Sequence, residues 1–430
     1  MERQSEAEPA AVLVSRQRAR TKPDGEVRAR WAWTERSVWT DRMLTALENG
    51  VGGGKWFSLI DKVARPENLF AAYATVAQNK GAAGVDHMTV EEFGRRLSDR
   101  LDRLHETLSD GGYRPQEVNR VWIPKPGGTE QRPLGIPTVR DRVVQTALLH
   151  VLEPIFEREF AEHSYGFRPN RGCKDALRRV DALLKQGYRY VVDADLRSYF
   201  DTIPHERLRA RVAERVSDGR VLDLVGLFLE QGVLEGMSVW RPTSGTPQGA
   251  VISPLLSNIY LNPLDHEMAE RGYEMVRYAD DFVVLCRSEA EAMQALEQVR
   301  AWVVNSGLEL HAQKTRIADA EAEGFEFLGY HFKRGQRWPR KKSLKKLKAA
   351  VREATPHLDH ERAQPQHLGR ADVDGGAAGH HAVHHQAVAE RAVRRPQRQL
   401  IMRVVIGVAR RPLVGPLRGN PIEATQRRHR

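Results

Sequence analysis

Met275-Val276-Arg277-Tyr278-Ala279-Asp280-Asp281-Phe282-Val283-Val284-Leu285 sets two adjacent aspartates between two short apolar runs rich in valine. That pattern predicts strand, tight turn, strand. Paired carboxylates at such a tip offer hard oxygen ligands at one spot, the kind Mg²⁺ prefers. Aspartate is also common in turns because it caps backbone N–H groups, so the pair alone decides nothing.

A second stretch changes the weighing. Tyr188-Arg189-Tyr190-Val191-Val192-Asp193-Ala194-Asp195-Leu196-Arg197-Ser198-Tyr199-Phe200-Asp201 is a β-rich run that ends in carboxylates and passes into Pro204-His205, a helix start. Carboxylates from two strands can clamp two metal ions about 3.5–4 Å apart, the arrangement used for in-line attack on phosphate. Asp195 sits where strand should give way to helix; Asp193, two residues earlier, faces the same side and is its rival.

The Tyr-Ala-Asp-Asp and Asp-x-x-x-Tyr-Phe-Asp boxes resemble the two metal-binding boxes of reverse transcriptases. The wider pattern, from about Glu67 to Lys348, resembles a bacterial group II intron-encoded reverse transcriptase/maturase of the endonuclease-lacking type. It includes the Gly-rich turn Gly81-Ala82-Ala83-Gly84-Val85-Asp86 and the stretch Ser164-Tyr165-Gly166-Phe167-Arg168-Pro169-Asn170-Arg171-Gly172. The implied fold is α+β, a right-hand polymerase with fingers, an antiparallel palm sheet, a helical N-terminal extension and a degraded helical thumb.

The resemblance favours Asp195, with Asp280 and Asp281, as catalytic Mg²⁺ ligands, and gives Lys314 a general-acid role toward the leaving pyrophosphate. It places Lys125 and Arg132, on the paired strands of a hairpin over Val118–Pro137, against the nucleotide triphosphate. Phe200 takes the position that blocks a sugar 2′-hydroxyl, which selects deoxynucleotides, and Gln248 contacts nucleotide and template. Arg168 and Arg171, beside Tyr165 and Phe167, suit a template backbone with a stacked base. The implied partners are group II intron RNA, an RNA template with DNA primer, and dNTPs.

Composition agrees in direction. A formal charge of +11 over 430 residues suits a polyanionic partner. Two cysteines, Cys173 and Cys286, argue against a disulfide framework and Cys-rich zinc sites. No run is long and apolar enough for a membrane span, and the N-terminus lacks a signal core, so a cytoplasmic protein is expected. Gly52-Gly53-Gly54-Lys55 is no phosphate loop, because Trp56 follows where Ser or Thr is required.

The expected organisation is a basic flexible arm (1–55), a helical N-terminal extension (56–112), fingers and palm (113–332), a basic thumb start (333–353) and a disordered or frameshifted tail (354–430). Trp31, Trp33 and Trp39 are expected to anchor the arm, although base stacking is open to them. A helix is expected over Val90–Leu108, and the helical spacing of Leu208, Val212, Val216, Leu224, Val225 and Phe228 within His205–Leu229 is read as core. Residues Lys333–Lys348 hold nine basic side chains and no acidic one, which points to RNA. Beyond Pro339 the sequence has no aromatic residue other than histidine, where thumb and maturase helices should carry Phe, Trp or Tyr. A frameshift is the reading that follows; His380-His381 and His384-His385 lack nearby acidic partners for a metal site. The rival functions are a splicing cofactor with incidental polymerase chemistry, an inactive retroelement remnant, and a reverse transcriptase domesticated for phage defence.

Overall fold

The computed structural model describes residues 24–124 and 131–354. The chain divides into two units at Arg340/Lys341. Lys125, the Gly127-Gly128 turn and the tail after Ala354 lie outside the described residues.

The first unit begins with helices Asp24–Arg30, Asp41–Asn49, Ile60–Ala64, Pro66–Asn79, Val90–Arg95 and Leu97–Asp110. Part of the expected flexible arm is therefore folded. Trp39 is fully buried and its Nε1 donates to the His150 carbonyl at 2.9 Å, while Trp31 is 3% exposed. An indole that finds both apolar cover and an acceptor is an anchor, not an open stacking surface. The single helix expected over Val90–Leu108 breaks at Arg96, whose backbone leaves helical geometry.

Strands β1 (Val118–Pro124) and β2 (Gln131–Ile136) form the expected antiparallel hairpin, extended by β4 (Val233–Glu235) and β5 (Ser238–Trp240) in the order β2-β1-β4-β5. The helix Val139–Glu157 runs through the main core, and Cys173–Lys185 leads into β3 (Tyr190–Asp195). His205–Leu229 is two helices, His205–Ala213 and Gly219–Leu229: the first closes at Glu214, and Asp218 caps the second by accepting from the Arg220 and Val221 N–H groups.

After helix Ser253–Glu270 come β6 (Glu274–Tyr278) and β7 (Asp281–Cys286), then helix Glu289–Asn305 and β8 (Arg316–Asp319). These build an all-antiparallel sheet in the order β6-β7-β3-β8. Alternation gives it two buried faces. Val192, Ala194, Phe282 and Val284 join the main core. Val191, Val276, Val283 and Leu285 pack in a second cluster with the Cys173–Lys185 helix and with Phe325, Phe327 and Phe332. The last three belong to a small sheet of β9 (Phe325–Phe327), β10 (Tyr330–Lys333) and β11 (Gln336–Pro339). The second unit contributes, among the described residues, the helix Lys341–Ala354, with Leu344 and Val351 exposed.

Candidate active site

The site lies where β3 and β7 end. Asp195 and Asp281 are Cα partners across the antiparallel pair, which sets them about 4.5–5.5 Å apart. Asp193 shares their face two residues back on β3. Asp280 occupies the turn before β7. Ala279 there has φ +61°, a left-handed conformation that costs a non-glycine residue roughly 1–2 kcal/mol.

A buried network holds this turn. Arg277 is fully buried and pairs with Asp265, its Nε 2.8 Å from Oδ1. Its Nη1 donates to Asn258 Oδ1 at 2.9 Å and to the Ala279 carbonyl at 2.8 Å. Asn258 Nδ2 in turn donates to the Gly166 carbonyl at 2.8 Å. Gly166 packs so closely on the turn that a Cβ there would lie 2.2 Å from the Ala279 nitrogen. Its neighbour Tyr165 donates its backbone N–H to the Arg277 carbonyl at 2.9 Å. The Tyr165-Gly166-Phe167 stretch is thus a buttress of the Asp280 turn. Arg277, Asp265 and Asn258 escaped the sequence reading, although an arginine inside an apolar strand signals a buried counter-ion.

That buttress also corrects Arg168. Its side chain is buried and pairs with both oxygens of Glu157 at 2.8 and 2.9 Å. Its Nη1 donates to the carbonyls of Ala161 and Ser164, and the guanidinium lies over Phe160. With its donors committed inside the protein, Arg168 is no template contact. Arg171 is half-buried, over the Tyr165 ring, and Nη1 donates to the Glu162 carbonyl.

Phe200 is half-buried and meets Phe167 edge to face, ring centroids 6.5 Å apart. Its carbonyl accepts from Thr246 N–H at 2.6 Å, which draws the Gly245–Ala250 loop against it. Gly245 has φ +89°, and a Cβ there would meet the Phe200 carbonyl at 2.7 Å. On that loop Gln248 Nε2 donates to Asp201 at 3.3–3.4 Å, and the Gln248 carbonyl accepts from Gly135 of β2 at 2.6 Å. Arg132, on β2 opposite Ile123, is exposed.

Lys314 Nζ lies 3.0 Å from Asp195 Oδ2. The loop bearing it is tied to β3 by His311 N–H, which donates to the Asp195 carbonyl at 2.7 Å. Arg316 stands 3.8 Å from Asp193.

Burial raises the Asp281 carboxyl to about 7, and Asp280, Asp193 and Asp195 add to the effect, although the side chain opens to solvent. Burial, with Asp195, also raises Asp280. Burial raises Asp193 to about 6, with Arg316 opposing. Among the described residues no three His, Cys, Asp or Glu side chains stand close enough to grip an ion as they are. The donor chemistry nevertheless fits a hard divalent cation: crowded carboxylates strain against their own charge, and Asp195 already holds a cation in Lys314.

Residues 123–332 match the family described as reverse transcriptase (RNA-dependent DNA polymerase). Protein YkfC of Escherichia coli K12 is 34% identical over 344 residues, which is 70% of this chain and 85% of that protein. Group II intron-encoded protein LtrA of Lactococcus lactis is 38% identical over 203 residues, 47% of this chain but 33% of LtrA. An uncharacterized 91 kDa protein in the cob intron of Schizosaccharomyces pombe is 37% identical over 290 residues, covering 54% of this chain and 36% of that protein. The chain thus spans about a third of these two intron proteins. A matched region that runs from the β1–β2 hairpin to β10, and a relative covered over most of its length, show that the chain belongs to the reverse transcriptase family, with group II intron-encoded proteins among its relatives.

Proposed function

We propose that the chain is an RNA-directed DNA polymerase of a group II intron retroelement. The observation that carries this is the register of Asp195 against Asp281, with Asp280 beside it. Asp195, Asp280 and Asp281 would hold Mg²⁺, which when bound would favour the deprotonated primer 3′-hydroxyl and neutralise phosphate charge. Lys314 holds a proton for the leaving pyrophosphate. Phe200, braced by Phe167, crowds the sugar 2′ position and selects deoxynucleotides. Gln248 orients nucleotide and template, Lys125 and Arg132 hold the triphosphate, and Arg171 meets the template.

The relatives' names support intron RNA as a second ligand, with a maturase role beside polymerisation; no zinc is required. The basic helix Lys341–Ala354 suits that RNA. Among the described residues no helix is long and apolar enough to cross a membrane, and we place the activity in the cytoplasm. Primer extension on an RNA template tests the proposal. The wild type should extend with dNTPs and Mg²⁺, and Asp280→Asn should abolish extension with its melting transition intact. Unchanged extension by Asp280→Asn would refute the assignment.

A further inference from the structure

The sheet β2-β1-β4-β5 carries an exposed cluster of aromatic side chains. Arg120 and Trp122 alternate on β1 and so share a face. On that face the Arg120 guanidinium lies 4.9 Å from the Trp240 ring centroid on β5 and 5.9 Å from that of Trp122. Glu235 on β4 fixes both partners: Oε1 accepts from Trp122 Nε1 at 2.7 Å, and Oε2 lies 3.4 Å from Arg120 Nη1. Trp122 is 48% and Trp240 40% exposed, and the β4–β5 hairpin adds Val239 and Met237 in full view of solvent. Indoles held by a carboxylate and a guanidinium, yet left open, are a preorganised surface without a covering partner.

The shelf is continuous with the candidate site. Arg120 of β1 stands opposite Gly135 of β2 in the register, and Gln248 on the loop beyond Gly135 donates to Asp201 at 3.3 Å. β1 is also hydrogen-bonded to β2, whose Gly135 holds the Gln248 carbonyl.

We propose that Trp122, Arg120 and Trp240 form a stacking shelf for the unpaired RNA template that approaches the nucleotide site. Three things favour RNA. Open indole faces with an interleaved arginine stack on any base without regard to sequence. The chain's charge of +11 complements a polyanion. The shelf adjoins the pair assigned to nucleotide and template. The proposal rests on the polymerase reading for the strand's direction and for the third of these grounds; the stacking surface and the charge stand without it.

The test uses the full chain and primer–template duplexes whose RNA template overhangs by one or by eight unpaired nucleotides. Affinities are read by fluorescence polarisation of labelled primer. The wild type should prefer the long overhang about tenfold, as one or two stacked bases would give. Trp122→Ala/Trp240→Ala should reduce that preference to about twofold or less, with Trp122→Phe/Trp240→Phe restoring it. An unchanged preference in the alanine variant, or none in the wild type, would overturn the proposal, as would a shelf that captures only protein. Should the alanine variant fail to melt cooperatively, photocrosslinking of wild type to a 4-thiouridine overhang decides: adducts within 118–124 or 238–240 support the shelf, and adducts elsewhere alone overturn it. A wild type that prefers the long overhang but adds no nucleotide would sink the polymerase reading and leave the shelf standing.

Discussion

Lys314 Nζ stands 3.0 Å from Asp195 Oδ2, so the lysine assigned to the leaving group is paired with a carboxylate assigned to metal. The two roles would compete for one oxygen: with a divalent ion held by Asp195, the Lys314 ammonium would be free to face pyrophosphate. Lys314→Ala should therefore lower the saturated extension rate by about 10²-fold or more, the usual worth of a positioned acid. The same change should lower the Mg²⁺ concentration needed for half-maximal rate, because a competing cation is gone. Rates measured across a Mg²⁺ titration separate the effects; an unchanged saturated rate would remove Lys314 from the chemistry.

Arg277 and Asp265 are both buried, and Arg277 also holds the Asn258 and Ala279 oxygens. Removing one partner strands a charge away from water. Asp265→Ala should cost about 3–5 kcal/mol in urea unfolding, and polymerase function should fall with it because the Asp280 turn loses its brace. A loss below 1 kcal/mol would mean the pair is replaced by solvent.

Asp281 carries a carboxyl pushed up to about 7. A raised acid pKa penalises the folded state above that value, grows in between, and vanishes below the unfolded value near 4, where both states are protonated. Asp281→Asn should thus stabilise the metal-free protein at pH 8 by about 1 kcal/mol, after a discount for the side chain's exposure. The gain should disappear at pH 4. Denaturant unfolding at the two pH values checks both sign and window; destabilisation at pH 8 would show that the carboxylates are not in conflict.

Much of the site was readable because its chemistry and its periodicity coincide. Two valine-rich strands interrupted by carboxylates mark both the sheet and an acidic tip, and the register sets Asp195 opposite Asp281; periodicity left Asp193 as a rival on the same face, and only the family resemblance favoured Asp195. Arg168 shows where that reasoning stops. An arginine between aromatics looks the same in sequence whether it faces RNA or a buried Glu157, and only the fold brings Glu157 near. Gly166 was legible as part of a family pattern but not as a close approach to Ala279, since Tyr165–Phe167 and the Asp280 turn are distant along the chain. The helix break at Arg96 was missed because apolar spacing continues across it; backbone angles end the helix there. Trp39 found a buried acceptor on His150 that no local window contains.

Single-turnover primer extension on an RNA template tests most directly whether Asp195 and Asp281 act as one unit. Asp195→Asn and Asp281→Asn should each slow nucleotide addition by about 10³-fold or more, and the double variant should be little slower than either, as groups that act together are non-additive. Either single variant extending within about tenfold of the wild-type rate would contradict the account.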